Sequence, residues 1–189
     1  MAARMAKPAR RAQLLDTALT LVRERGTDGL TLVTLADAAD VSRPVVYDHF
    51  GTRAALLLSL YRLMDEQHRA AVARAIESTA GAAETARVLS RAYFACATDL
   101  PEFAAVSAAL KGDPEAAAAQ HQLLAEYVAL MVAALTPYSD LTPKALRLRC
   151  VGVLGAAEAI AAELNHGRVT APAAVAALTG LITGDLLRG

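Results

Sequence analysis

An all-α fold is what this 189-residue chain predicts, and three observations carry the prediction. Apolar residues recur at three- and four-residue spacing, no segment alternates with the two-residue period of a strand, and the excess hydrophobicity is mostly alanine, the strongest helix former. Glycine, proline and asparagine fall between the periodic stretches, where helices have to stop. At 55% apolar and 20% charged residues the chain can bury a full core, which excludes disorder as its main state.

The elements follow in order. Leu14, Leu15, Ala18, Leu19 and Val22 mark a first helix that ends where Gly26 follows Arg25. A short helix is expected over Leu32–Ala39, with Thr31 as its N-cap. After Asp40-Val41-Ser42 comes a second short helix, Arg43–His49, capped by Ser42; Pro44 is tolerated in its first turn, where backbone donors lack partners anyway. Gly51-Thr52 ends that helix and caps a long one, Arg53–Ser78. Further helices are expected near 82–98, 102–110, 114–135, 143–166 and 172–187, about nine in all, separated by Gly112-Asp113-Pro114, Thr136-Pro137, Thr142-Pro143 and Asn165-His166-Gly167. The division expected is a small three-helix domain at 1–52, joined by the long helix to a bundle at 53–189.

Several function classes recede on composition. A mean hydropathy of +0.34 raises the question of a membrane span. Apolar runs such as Tyr127–Leu135 and Cys150–Ala157 fall far short of the roughly 18–20 residues a crossing needs. The basic start, Met1–Arg11, leads into no uninterrupted apolar stretch of the secretory type, so the cytoplasm is the expected compartment. Cys96 and Cys150 lack ligand-like neighbours and read as buried small hydrophobes. His49, His68, His121 and His166 are dispersed, with no HExxH pair, phosphate loop or nucleophile elbow, and Glu158 and Glu163 are five apart, off the spacing of bundle metal sites. Neither an enzyme nor a cofactor or metal is expected.

Charge is neutral overall but unevenly placed. Residues 1–62 carry nine Lys/Arg against six Asp/Glu, and the remainder ten against thirteen. Arg4, Lys7, Arg10 and Arg11 stand in the first fifteen residues with no acid, an arm suited to a polyanion. Within residues 31–50, Leu32, Leu35, Ala36 and Ala39 give one short helix an apolar face, Val41 and Val46 pack between the two, and Phe50 closes the end. This is the anatomy of a helix-turn-helix, whose second helix enters a DNA major groove.

The stretch Thr31-Leu32 … Leu35-Ala36-Asp37-Ala38-Ala39-Asp40-Val41-Ser42-Arg43-Pro44-Val45-Val46-Tyr47-Asp48-His49-Phe50-Gly51-Thr52-Arg53-Ala54-Ala55-Leu56 resembles the DNA-binding signature of TetR-type transcriptional regulators. The spacing of Ala36, Val41, Ser42, Tyr47, His49 and Phe50 matches without a gap, and Leu14–Arg25 with Gly26 is similar to the family's first helix. There are departures. Asp40 stands where the family's turn glycine is usual, and aspartate tolerates a left-handed conformation better than most residues. Pro44 and Val45 replace small or polar residues and shift readout toward thymine methyl groups.

The DNA-contact set is then Thr31, Ser42, Arg43, Pro44, Val45, Tyr47, His49 and Arg53. Arg43 presents a guanidinium fork suited to guanine O6 and N7. The resemblance implies backbone contacts for Tyr47 and His49, with Thr31 and Arg53 likewise placed for phosphate. Small residues Gly152, Gly155, Ala156, Ala159 and Ala162 lie close to one helical stripe that would let a second helix approach. The resemblance implies a homodimer through the last two helices of each subunit, reading a palindromic operator on double-stranded DNA. It also implies an effector cavity within 82–135, where Tyr93, Phe94, Cys96, Phe103, His121, Tyr127 and Met131 are the larger or polar side chains, suiting an apolar or amphipathic small molecule. Repression is the commoner outcome in the family, with ligand moving the long helix and releasing DNA. The competing reading is a helical interaction module of the same fold without specific DNA binding, which the acids Asp40 and Asp48 near the reading face would favour.

Overall fold

Local chemistry places several of the helix boundaries. A computed structural model describes residues 6–98 and 101–186. Among the described residues there are nine α-helices and no strand: α1 (Lys7–Arg25), α2 (Leu32–Ala38), α3 (Arg43–Phe50), α4 (Arg53–Glu77), α5 (Ala82–Thr98), α6 (Pro101–Ala109), α7 (Pro114–Leu135), α8 (Pro143–Asn165) and α9 (Ala171–Leu186). Short 3-10 turns stand at Thr27–Gly29 and Thr136–Tyr138. Gly26 takes φ 69° at the end of α1, and its N–H closes on the Val22 carbonyl, the use to which a left-handed glycine is put at a helix C-terminus. Thr142 caps α8 through its side chain, with Pro143 in the first turn.

Two compact units result. The first runs through Glu66 and takes up Glu102–Ala117; the second holds Gln67–Pro101 and Ala118 onward. The boundary between these compact units falls within α4, whose first turns are buried in the first unit. Leu14, Ala18, Leu35, Ala36, Val46, Leu56 and Leu60 are all fully buried there. α6 joins the same unit: Phe103 stacks on Tyr61 with ring centroids 4.7 Å apart, and Arg23 donates to Glu102 at 2.8 and 3.0 Å. Burial pushes the Glu102 carboxyl up, but its backbone hydrogen bond and Arg23 outweigh that and hold it below the usual range.

The second unit is a bundle in which α9 lies along both α5 and α8. Its core includes Leu89, Phe94, Met131, Leu135, Leu146, Cys150 and Ile182. Cys150 fits the expectation of a buried small hydrophobe: burial pushes its thiol up to about 11. The Cys96 side chain lies outside the described residues. Tyr127 reaches across the core to donate its hydroxyl to the Leu89 carbonyl at 3.1 Å, and Arg69 pairs with Glu126 at 2.7 Å. Among the described residues no helix is long and apolar enough to cross a membrane.

Candidate nucleic-acid interface

The site is built from α2, the turn after it, and α3. Thr31 and Thr34 close a reciprocal cap: the Thr34 N–H donates to Thr31 Oγ1 at 3.0 Å and the Thr31 N–H to Thr34 Oγ1 at 2.9 Å. At the other end of α2 the Val41 N–H donates to the Ala36 carbonyl at 3.0 Å and the Asp40 N–H to Asp37 at 3.4 Å. That crossed pair is a Schellman ending, which needs a left-handed residue at its apex. Asp40 supplies it at φ 50°, and it is the one non-glycine with positive φ among the described residues. The expected glycine is dispensable because the carboxylate side chain is short and solvated.

The turn throws α3 outward. Val46 is fully buried and Phe50 nearly so, which anchors one face. Arg43, Pro44, Tyr47 and Asp48 face solvent, with Tyr47 half exposed; Val45 and His49 are half-buried beside them. Ser42 occupies the N-cap position but its hydroxyl makes no capping hydrogen bond. The hydroxyl therefore stands exposed at the start of α3, where Pro44 carries no N–H and the Val45 N–H donates to the Ser42 carbonyl at 3.0 Å. Gly51, at φ 67°, ends α3, and Thr52 Oγ1 accepts the Ala55 N–H at 3.1 Å to start α4.

Several cations placed by sequence at the DNA make contacts within the chain. The residues read as an arm from Lys7 onward belong to α1, which begins seven residues earlier than its apolar periodicity because Pro8 sits in its first turn. Arg4 lies outside the described residues. Lys7 Nζ pairs with Asp48 Oδ2 at 3.0 Å; that hydrogen bond and charge hold the Asp48 carboxyl below its ordinary value. Arg10 donates to Gln13 at 2.6 Å. Arg11 is the hinge pin: one terminal nitrogen donates to the His49 carbonyl at 2.8 Å, the other to Ser59 Oγ at 2.7 Å, and the guanidinium lies 4.7 Å from the Phe50 ring centre. Arg53 donates to the Leu30 and Thr27 carbonyls at 2.8 and 2.6 Å, tying the start of α4 to the 3-10 turn. His49 is held below its ordinary value, first by burial and then by Lys7, so its ring is neutral at pH 7. The sequence signal for Arg11 was its place four residues before Leu15 on the first helix; its partners, 38 and 48 positions away, left no local trace.

The residues read as effector-lining do not converge. Tyr93, Tyr127 and Met131 surround a void of about 10 Å³ in the second unit, which is close to the minimum for one water. Phe94 is buried at the floor of a separate groove between α5 and α9. His121 is exposed, and Phe103 belongs to the first unit against Tyr61. On α8, Gly152, Gly155 and Ala159 are exposed with Leu148 and Val151 on one apolar stripe, and Ala156 is half-buried at its edge. No group of three or more His, Cys, Asp or Glu side chains is placed to hold a metal among the described residues.

Residues 14–60 match the family model described as bacterial regulatory proteins, tetR family. The chain is 27% identical over 121 residues to the HTH-type transcriptional regulator BetI of Rhizobium meliloti, covering 64% of this chain and 60% of that protein. Across the curated relatives it matches, the alignment spans only 42–60% of their length. Among solved structures, a TetR-family transcriptional regulator from Pectobacterium atrosepticum superposes with TM-score 0.74 at 25% identity over 98% of this chain and 99% of that one. The regulator FadR of Bacillus subtilis, in complex with stearoyl-CoA, shares the fold at TM-score 0.65 and 17% identity, over 92% and 98% of the two chains. The turn geometry and the outward face of α3 agree with these matches: residues 14–60 are similar to the helix-turn-helix region of tetR-family bacterial regulatory proteins, and the chain shares its fold with solved members of that family.

Proposed function

We propose that this protein is a ligand-responsive DNA-binding transcriptional regulator, a repressor that grips a palindromic operator as a homodimer and lets go when a small molecule binds its bundle. The observation that carries the reading is the outward face of α3, where Arg43, Pro44 and Tyr47 are exposed on a short helix anchored by Val46 and Phe50. Arg43, one residue into the helix, is the base-reading side chain, with its fork on guanine O6 and N7. Pro44 and Val45 add an apolar edge for thymine methyls. Ser42, Tyr47 and His49 serve the phosphates, His49 as a neutral donor, and Thr31 and Arg53 border them. Pairing Asp48 with Lys7 reduces the negative charge beside this face, which weakens the case for a non-DNA interaction module.

Residues 1–52 hold the reading head in this proposal, and 53–189 the effector and dimer functions. The exposed α8 stripe of Leu148, Val151, Gly152, Gly155 and Ala159 supports pairing with a second copy, since small residues let helix axes approach while the larger two bury apolar area. Two recognition helices on a two-fold axis then read half-sites about one helical turn, or 34 Å, apart. The place of action is the cytoplasm, where the operator is.

The test is selection from a random duplex library by the purified protein at fixed salt. A recovered palindrome is the expected result. Arg43→Ala is expected to cost about 1–3 kcal/mol and to relax preference at one position per half-site. No enrichment of any duplex, or an Arg43→Ala variant with unchanged affinity and preference, would refute the assignment.

A further inference from the structure

Two openings in the second unit differ widely in size, and the larger lies on its surface. While the void among Tyr93, Tyr127 and Met131 holds about 10 Å³, a groove of about 840 Å³ runs between α5 and α9. Its lining extends from Ala83 to Ala95 on one helix and from Ala171 to Thr183 on the other, so each wall is about 18 Å long at the helical rise. That volume is within the roughly 300–1,000 Å³ usual for small-molecule sites.

The chemistry of the two walls differs. The floor and the α9 wall are apolar or small, with Phe94, Val175, Ala176 and Gly180. The hydroxyl of Thr179 donates to Val175 at 2.7 Å and that of Thr183 to Thr179 at 3.0 Å, so the α9 wall offers a ligand no free donor. The α5 wall carries Arg87 and Arg91, both exposed and one helical turn apart, and no acidic side chain lines the groove among the described residues. Two like charges at that spacing repel. Glu84 answers Arg87 alone, at 3.4 Å, and Arg91 makes no ion pair among the described residues. A long apolar trough edged by two guanidinium groups on one side matches a molecule with one anionic end and one aliphatic body, because the fork of an arginine takes a carboxylate in two parallel bonds.

We infer that the α5/α9 groove is a binding site for a single-chain aliphatic acid, its carboxylate on Arg87 and Arg91 and its chain along Phe94, Val175 and Gly180. This deepens the effector part of the reading above, and it is measured with no DNA present, so its failure and the failure of operator recognition are separate outcomes.

The experiment is calorimetric titration of the full chain with decanoate below its micelle concentration, with decanol as the uncharged probe. Saturable binding of decanoate, tighter than decanol, is expected. The R87A/R91A double variant, at two exposed positions, is expected to bind decanoate about tenfold more weakly, on the scale of two partly exposed ion pairs, while decanol binding stays as it was. Gly180→Met gives the independent arm. A Cβ built at Gly180 meets nothing within 4 Å, so the added side chain extends into open space without disturbing the core, and it should weaken both probes. Decanoate binding insensitive to both variants, equal binding of decanol and decanoate, or no saturable binding would overturn the inference. So would a loss of the native oligomeric state in R87A/R91A, which would make a second copy the occupant of the groove.

Discussion

Replacing Arg11 by alanine tests whether the proposed reading head is held by α1 or only decorated by it. The guanidinium joins three elements: it donates to the His49 carbonyl at the end of α3, donates to Ser59 Oγ on α4, and lies 4.7 Å over the Phe50 ring. Each hydrogen bond to a charged group is worth about 1.5–3 kcal/mol when well shielded, and nearer 1 kcal/mol for a half-buried side chain such as this. The stacking adds about 0.5–1 kcal/mol. Arg11→Ala should therefore cost about 2–3 kcal/mol, which in a chain of this length is a fall in Tm of roughly 5–10 °C. Thermal melts followed by far-UV circular dichroism measure it. Ser59→Ala removes one of the two bonds, should cost about 1 kcal/mol, and should be non-additive with Arg11→Ala in a double-mutant cycle. Duplex affinity should fall in Arg11→Ala with the slope of log affinity against log salt unchanged, because the side chain touches no phosphate in this account. A Tm shift under about 2 °C, or a slope reduced by about one charge, would refute the reasoning.

Three further predictions rest on other parts of the molecule. Gly155→Arg adds bulk and charge to the exposed α8 stripe at a position where a Cβ meets nothing within 4 Å, so it should yield a folded monomer by sedimentation; an unchanged mass would exclude that stripe as the dimer contact. The His49 ring is neutral because burial and Lys7 hold its pKa below 6.5. In the free protein the unfolded chain then binds more protons, so stability falls as pH drops below about 6.5. Duplex phosphates favour the protonated ring, so affinity at fixed salt should rise through that same window, and His49→Gln should flatten the profile; a parallel rise in the variant would remove His49 from the contact. Finally, with its thiol raised to about 11, Cys150 in a Cys96→Ser background should resist alkylation at pH 8 until the protein unfolds, whereas labelling at the rate of a free thiol would contradict its burial.

Helix order and most boundaries were legible because their determinants are local. Gly26, Thr31, Gly51-Thr52 and Thr142-Pro143 act within four residues of themselves, and Asp40 adopts the left-handed apex its chemistry permits. Cation roles were harder to read. A basic side chain in a sequence looks the same whether it meets a phosphate or a backbone carbonyl, and Arg11 and Arg53 differ from Arg43 only in what folding brings beside them. The same holds for the residues expected to line an effector cavity within 82–135: nothing local in the sequence distinguishes Phe103, which folds into the first unit, or His121, which is exposed, from Tyr127 and Met131 in the core of the second. Arg87, Arg91 and the small residues of α9 carry no local signal, because the groove exists only where the two helices meet.

The position of the break within α4 sets the smallest portable version of the reading head. Leu56, Leu57, Leu60 and Tyr61 are buried in the same unit as α1–α3, and Phe103 covers Tyr61. A fragment severed after residue 52 would carry Arg43, Tyr47 and His49 and yet lack Leu56, Leu57, Leu60 and Tyr61, which are buried in the same unit. Transplanting the proposed specificity onto another scaffold therefore requires the opening turns of α4 and a substitute for α6, and not merely residues 31–52.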